Sequence, residues 1–165
     1  KNTMKHLLLL LAIGLVIDAQ AQRKSPHDTV SFANGEVTYG RPYKNNRDIF
    51  GGLEKFGTVW RVGADEATTI TLNEDTKFGG QAVPKGTYTM FALINEKEWT
   101  IILNSQLGQW GSYRYNQFKD KDVAKVTVPV KNLDKVVEQL TIRFNKENSM
   151  IIEWDMTQVV VPMSF

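Results

Sequence analysis

The sequence predicts an all-β fold, a single antiparallel β-sandwich or jelly-roll-like domain of about nine or ten short strands. Three observations lead to it. Short segments alternate apolar and polar residues, as strands with one buried face do. Turn signals rich in glycine, proline and asparagine separate these segments. No stretch has a convincing hydrophobic period of about 3.6 residues, so long amphipathic helices are not expected.

The first half of the chain predicts two hairpins on either side of an irregular segment. Residues 27–32 and 36–39 alternate, and Asn34-Gly35 between them favours a two-residue turn because both residues accept positive φ. Pro42 ends the second strand, since proline cannot donate to a β-ladder. The other predictions are an irregular segment at 45–57 with one helical turn at 48–50, strands at 59–61 and 67–72, and a hairpin of 76–83 with 87–94 around Pro84-Lys85-Gly86.

The second half predicts further strands and one long loop. A loop as long as residues 104–121 inside a compact domain is usually functional or has structure of its own. Pro129 places strand 123–130 at a sheet edge. The best helical candidate, 132–137, is too short to be assigned. The remaining predicted strands are 98–103, 136–144, 149–155 and 158–161.

The N-terminus has the pattern of a secretory signal peptide. Met4 resembles a natural start, Lys5 and His6 are basic, an apolar run covers 7–17, and small residues lead up to Ala21. A membrane anchor is the alternative, but the apolar run falls well short of the roughly 20 residues that span a bilayer. We therefore expect residues 1–21 to be leader with cleavage near Ala21, and residues 22–165 to form one exported domain, periplasmic or secreted, without a transmembrane segment.

Composition excludes several classes of function. The chain has no cysteine, which excludes disulfides, thiolate metal sites and cysteine nucleophiles. The formal net charge of +2 offers no electrostatic argument for binding nucleic acid. Phosphate-loop and dinucleotide motifs do not occur, so we expect no cofactor. His27, the one histidine beyond the leader, is a poor basis for a zinc site, and we expect no metal.

Three arginines suggest a candidate ligand-binding site. Arg41, Arg47 and Arg61 lie in or beside the irregular segment. Guanidinium groups bind carboxylate, phosphate or sulfate in a bidentate manner, so together they can form an anion-binding fork. Alternatively, each arginine pairs with local carboxylates or carbonyls and pins the segment to the sheets, since buried backbone must find internal partners. Both interpretations stay open at this stage.

Carboxylates and aromatic residues extend the candidate site. Asp65 and Glu66 are adjacent in a turn, and two carboxylates can serve as acid and base, although neighbours in an extended chain point to opposite sides. Trp60, Trp110 and Tyr113 are candidates for an aromatic platform. Trp110 lies in the long loop, which favours exposure, whereas Trp60 alternates with polar neighbours and is also a core candidate.

Eight motifs occur along the chain in this order: SPHDTVSF, YGRP, IFGGL, FGTVWRVGADEATTI, GQAVPKGTYTMF, EWTIILN, QWGSYRY and IIEWDMTQVVVPM. In these motifs the chain resembles a bacterial exported family known as domain of unknown function 2911. The resemblance covers essentially the whole mature chain, and the run from Tyr39 to Thr69 is its most specific part. That family usually has asparagine where this chain has Asp65. The resemblance implies export and one β-rich domain, and no activity.

Three functional hypotheses follow. The first is an exported, non-catalytic module that binds a small polar molecule, a glycan or a cell-envelope component where the segment 41–66 meets the loop 109–115. The second is a hydrolase that uses Asp65 or Glu66 as general base and Arg61 as electrostatic stabiliser. The third is an envelope assembly protein that pairs through an exposed edge such as 123–130. The oligomeric state is left open.

Overall fold

The computed structural model describes residues 24–165, so the predicted signal peptide lies outside the described residues. The predicted all-β antiparallel sandwich is confirmed. One short helix and one 3₁₀ turn interrupt the strands. In chain order the elements are β1 (His27–Phe32), β2 (Gly35–Gly40), β3 (Thr58–Trp60), β4 (Thr69–Leu72), β5 (Thr76–Phe78), β6 (Gln81–Val83), β7 (Gly86–Ile94), β8 (Glu98–Asn104), α1 (Tyr115–Phe118), the 3₁₀ turn (Lys119–Lys121), β9 (Asp122–Pro129), β10 (Lys131–Phe144), β11 (Met150–Val161) and β12 (Met163–Ser164).

The larger layer is a seven-stranded antiparallel sheet in the order β1-β2-β4-β7-β8-β9, with β3 pairing with β7. Its strands alternate as the sequence predicted, because successive side chains of a strand point to opposite faces. The inner face is apolar and buried, as at Val37, Ile70, Met90 and Ile101. We call the other side of this sheet the outer face.

Two smaller sheets form the opposing layer. The hairpin β10-β11 contacts β1 on one side and β9 on the other. At the β1 side the rings of Phe32 and Phe144 stack with centroids 4.3 Å apart. The three-stranded sheet β12-β5-β6 completes the layer, and β6 contacts β9. One main core therefore lies between the two layers.

Four aromatic rings from three parts of the chain meet in this core. Trp60 and Trp99 come from the large sheet, Trp154 from β11 and Phe50 from the irregular segment. The Trp60 and Trp154 rings stack at 6.0 Å, and Trp99 meets Trp60 edge-on at 5.8 Å. Phe50 lies 4.7 Å from Trp99 and 5.6 Å from Trp60. The cluster joins the two layers and anchors the irregular segment to both.

The first hairpin turns one residue earlier than predicted. Phe32 pairs with Gly35, so Ala33 and Asn34 form the two-residue turn. Gly35 belongs to β2 and serves close approach between strands, since a Cβ there would lie 1.8 Å from the Thr71 carbonyl oxygen. Gly35 indicated the hairpin correctly, but it lies in β2 and not in the turn itself.

The predicted hairpin around Pro84-Lys85-Gly86 is wrong. Strands β5 and β6 pair with each other through a turn at Gly79 and Gly80, both in the left-handed region with φ of 54° and 85°. Strand β7 then pairs with β4 in the other layer. The proline segment is thus a crossing between sheets, because β7 finds longer partners in the large sheet than β6 offers.

Both short helical candidates are also wrong. Residues 132–137 lie in β10, where the pairing with β11 shifts register after Asn132 and again after Val137. Residues 48–54 form a compact turn in which Leu53 N donates to Asp48 O at 2.9 Å and Glu54 N to Ile49 O at 2.9 Å. Within residues 24–165, no helix is long and apolar enough to cross a membrane.

Strand β9 occupies the sheet edge that Pro129 indicated, but this edge is partly capped. The Gln81 side chain donates through Nε2 to Lys125 O at 2.6 Å and accepts from Lys125 N at 3.1 Å. One amide side chain thereby satisfies both backbone groups that a partner strand would use.

Candidate functional site

The loop between β8 and β9 packs on the outer face and builds a second small core. Tyr115 and Phe91 meet edge-to-face at 5.2 Å, and Ala67 and Ile102 are buried with them. The Tyr115 hydroxyl donates to Asp122 Oδ2 at 2.7 Å. Burial raises the pKa of Tyr115, and the hydrogen bond to Asp122 adds to that rise. The loop is therefore held on the sheet by its own core, as its length suggested.

A network of amide side chains fixes the shape of this loop. Asn104 Nδ2 donates to Phe118 O and Asp122 Oδ1, both at 2.7 Å, which leaves Asn104 Oδ1 to accept from Gln106 N at 2.9 Å. Gln109 Nε2 donates to Gln106 O at 2.9 Å, which fixes the orientation of the Gln109 amide as well. Gln109 Oε1 is buried and has no hydrogen-bond partner within residues 24–165.

The segment 61–66, which we call the acidic bend, crosses close to β2. Val62 and Asp65 have φ of 57° and 64°, in the left-handed region. For a buried β-branched valine this conformation is strained. A Cβ on Gly40 would lie 2.2 Å from the Ala64 carbonyl oxygen, so glycine permits the close approach of the two backbones. The surrounding contacts therefore hold Val62 in a left-handed backbone conformation that valine rarely adopts.

Asp65 holds the beginning of the described chain. Its Oδ2 accepts from Lys24 N at 3.1 Å and from Ser25 N at 3.2 Å, and the residue is only 8% exposed. The position requires an acceptor on a residue that tolerates left-handed φ, and aspartate and asparagine both meet these demands. The asparagine that the family resemblance led us to expect would therefore fit the same place.

The Glu66 side chain contacts a different part of the chain from the Asp65 side chain. Its Oε2 lies 2.9 Å from His27 Nε2, and its backbone forms an isolated bridge with Trp110. His27 Nδ1 lies 3.2 Å from the Ser25 carbonyl oxygen. Both ring nitrogens thus face oxygen atoms. Backbone bonds between Ala67 N and Gln109 O and between Gly111 N and Asp65 O join the bend to the loop at 2.9 and 3.0 Å.

Three adjoining concavities follow this junction across the outer face, and together we call them the outer groove. The central one measures about 290 Å³, and the one beyond Trp110 measures about 300 Å³ and shares Gly108 and Gln109 with it. A smaller one of about 120 Å³ extends from Glu66 to His27. Threonines from the sheet form part of the floor, namely Thr38, Thr69 and Thr89. The half-exposed Trp110 ring lies where the two larger concavities meet.

Arg41 and Arg47 have separate structural partners. Arg41 donates to Asp28 Oδ2 at 3.0 Å, to Leu140 O at 3.1 Å and to Thr141 Oγ1 at 3.2 Å, which ties β1 and β2 to β10. Arg47 Nε donates to Lys44 O at 2.9 Å within the irregular segment. These contacts are those of the pinning interpretation. Neither arginine lines a concavity of the outer groove.

Arg61 lies near a carboxyl group that the sequence analysis did not single out. Burial raises the pKa of Glu54 to about 7, against the opposing effect of the nearby Arg61 and Arg47 charges. Arg61 Nε is buried and has no hydrogen-bond partner within residues 24–165. Glu54, in the irregular segment, and Arg61 are thus partly buried ionisable groups that lie close to each other without a direct ion pair among the described residues.

Of the eight residues predicted for the site, three line the outer groove: Glu66, Trp110 and Tyr113. The ring of Trp60 is in the core, with its Nε1 donating to Gly63 O at 3.2 Å, and is closed to ligands. The sequence analysis did not name Gln109 as a site residue, and it considered His27 only as a metal ligand. Only the QWGSYRY run signalled Gln109, and nothing local could have shown that His27 reaches Glu66.

One of three comparisons with known proteins identifies a family. A search of curated proteins and a search of solved structures found no match. No group of three or more histidine, aspartate or glutamate side chains suited to a metal lies within residues 24–165. A family model matches residues 21–163, almost the whole described chain. The chain therefore belongs to the family described as protein of unknown function (DUF2911).

Proposed function

We propose that this protein is an exported, non-catalytic binding module whose outer groove takes a small polar ligand, a glycan or a cell-envelope component. The observation that carries the proposal is the run of concavities on both sides of the exposed Trp110 ring. Binding sites combine apolar and aromatic walls with a few placed polar groups, and the groove offers this mixture. Its walls are set by packed loops and strands, so little ordering is left to oppose binding.

The two alternative hypotheses receive less support. A hydrolase needs a carboxylate free to take a proton from water or substrate. The Asp65 carboxylate accepts two backbone amides, and Glu66, which lines the groove, has its Oε2 2.9 Å from His27 Nε2. Arg61, its proposed partner, lines none of the three concavities. Assembly through β9 would have to displace the Gln81 side chain that already satisfies Lys125.

Trp110→Ala is expected to abolish ligand binding and leave folding intact. The ring is 40% exposed, so its removal costs little stability, but it takes away the aromatic wall shared by the two larger concavities. The test is an NMR titration with sugars, amino acids and inorganic phosphate, in which the Trp110 indole N–H resonance reports on the wild type and the backbone N–H resonances of Gly108 and Gln109 report on both wild type and variant. Phe56→Ala, at an aromatic residue 43% exposed that lines none of the three concavities, is the matched control. If no compound class shifts the Trp110 resonance, the proposal is wrong.

Export is the second part of the proposal and is supported by the leader pattern of residues 1–21. Expression of the full chain in a bacterial host should yield mature protein outside the cytoplasm, and N-terminal sequencing should begin at Gln22. Recovery of an uncleaved chain in the cytoplasmic fraction would contradict export.

A further inference from the structure

The chemistry of the outer groove points to one class of ligand, and this inference rests on the proposed function. We infer that the groove binds a neutral oligosaccharide, whose rings pass across Trp110 and whose hydroxyl or amide N–H groups donate to Gln109 Oε1. Charge, hydrogen-bonding capacity and shape each support it.

The charges that line the central and smaller concavities leave no cation available for an anionic ligand. The ionisable lining residues there, Tyr39 aside, are Glu66 and His27, which contact each other at 2.9 Å. In the third concavity the exposed Arg114 donates through Nε to Gln117 Oε1 at 3.2 Å and lies over the Phe118 ring, so its hydrogen bond goes to a neutral amide. Phosphate, sulfate and uronic acids are bound through charge-assisted contacts, which Arg114 alone offers, at the far end of the groove. A neutral ligand therefore fits the central and smaller concavities.

Two polar groups of the central concavity, those of Gln109 and Thr89, can accept hydrogen bonds from a ligand. Gln109 is 8% exposed, and its Oε1 has no partner within residues 24–165, although its Nε2 is engaged. A buried acceptor without a partner is costly, so a ligand donor that reaches it brings a large gain. The Thr89 hydroxyl donates to Gln106 O at 2.7 Å and keeps only acceptor capacity. A ligand rich in hydroxyl donors matches this set.

The shape of the groove favours a chain of rings over a single ring. The two larger concavities, about 290 and 300 Å³, share Gly108, Gln109 and Trp110, so a ligand that fills both must cross the tryptophan. Sugar rings stack on aromatic faces through their apolar C–H surface. Tyr113, which is 80% exposed, lines only the far concavity and offers a second ring there.

The experiment compares neutral and anionic probes on the same protein. Chitotriose, cellotriose and maltotriose are titrated against the mature chain, with trigalacturonate and inorganic phosphate as anionic probes, and the Trp110 indole N–H resonance is followed. We expect at least one neutral trisaccharide to bind tighter than either anionic probe, and its monosaccharide to bind at least tenfold more weakly. If an anionic probe binds more tightly, the inference is overturned while the proposed function stands. If none of the neutral trisaccharides binds, the inference is overturned, and if the amino acids and the anionic probes also fail to bind, the proposed function falls with it.

Two variants test the assigned contacts. Gln109→Met keeps the side-chain length and removes the acceptor, and it should weaken trisaccharide binding at least tenfold, about 1.4 kcal/mol. Tyr113→Ala changes an exposed residue that folding does not need. It should weaken the trisaccharide while leaving the monosaccharide unchanged, and it keeps the test decisive if Gln109→Met folds poorly. Unchanged trisaccharide affinity in Tyr113→Ala would overturn the inference.

Discussion

Replacing Glu54 with glutamine is expected to stabilise the protein at pH 8 and to have little effect at pH 4. Burial raises the pKa of Glu54 from 4.5 to about 7. Between these values the folded state binds more protons than the unfolded state, so stability falls as pH rises. Glu54→Gln removes this loss. The pKa of about 7 already includes the attraction to Arg61 and Arg47. At about 1.4 kcal/mol per pKa unit, and allowing for partial exposure, the gain at pH 8 is about 2 kcal/mol.

Urea unfolding at several pH values between 4 and 8, followed by tryptophan fluorescence, measures this effect. Glu153→Gln is a control of opposite sign, because hydrogen bonds from Arg143 lower the pKa of Glu153. Glu153 contributes stability at neutral pH that is lost as the pH falls through its folded-state pKa. Its replacement should therefore destabilise the protein at pH 8. Parallel stability curves for wild type and Glu54→Gln across this pH range would refute the assignment.

Trp154→Ala is expected to destabilise the protein by about 3–5 kcal/mol, the usual cost of removing a large buried ring. Trp154 is 1% exposed, stacks on Trp60 at 6.0 Å and meets Phe50 edge-on at 6.1 Å. Because Trp154 belongs to β11 and Trp60 to the large sheet, the cavity would open between the two layers. The same change also removes the bond from Trp154 Nε1 to Glu138 O at 3.3 Å.

Two further variants separate these contributions in urea unfolding. Trp154→Phe keeps an aromatic ring in the cluster and loses the N–H donor, so it should cost clearly less than the alanine variant. Trp110→Ala removes a tryptophan of the exposed loop and should change stability by no more than about 0.5 kcal/mol. Equal losses for Trp154→Ala and Trp110→Ala would show that the core cluster does not join the layers.

The strands were predictable because their signal is local. Alternation in residues 27–32 or 98–103 records which side chains face the core, and this period of two survives whatever the strand pairs with. The partner of a strand is not local information. Pro84-Lys85-Gly86 has the composition of a hairpin turn, yet β7 pairs with β4, and β6 pairs with β5. In the same way, 132–137 has weak local preferences, and pairing with β11 decided its conformation.

The candidate site, like the fold, could be predicted from the sequence only in part. Composition alone directed attention to Glu66, Trp110 and Tyr113, since exposed aromatic and charged residues in irregular segments are typical of binding sites. It could not separate them from Arg41 or Trp60, which have the same chemistry and are used for packing. His27 and Gln109 were missed because their importance depends on what lies beside them in space.

The sequence by itself determined the fold class, through alternation and turn residues that act over a few positions. It also determined which chemistry was present: no thiols, a nearly neutral charge, and arginines, carboxylates and aromatic rings concentrated in two irregular segments. Only the tertiary structure decided which of these residues hold the fold and which line the outer groove. The reason is physical: the contacts between His27 and Glu66 and between the acidic bend and the loop join residues distant in sequence, and only the packing of the sheet brings them together.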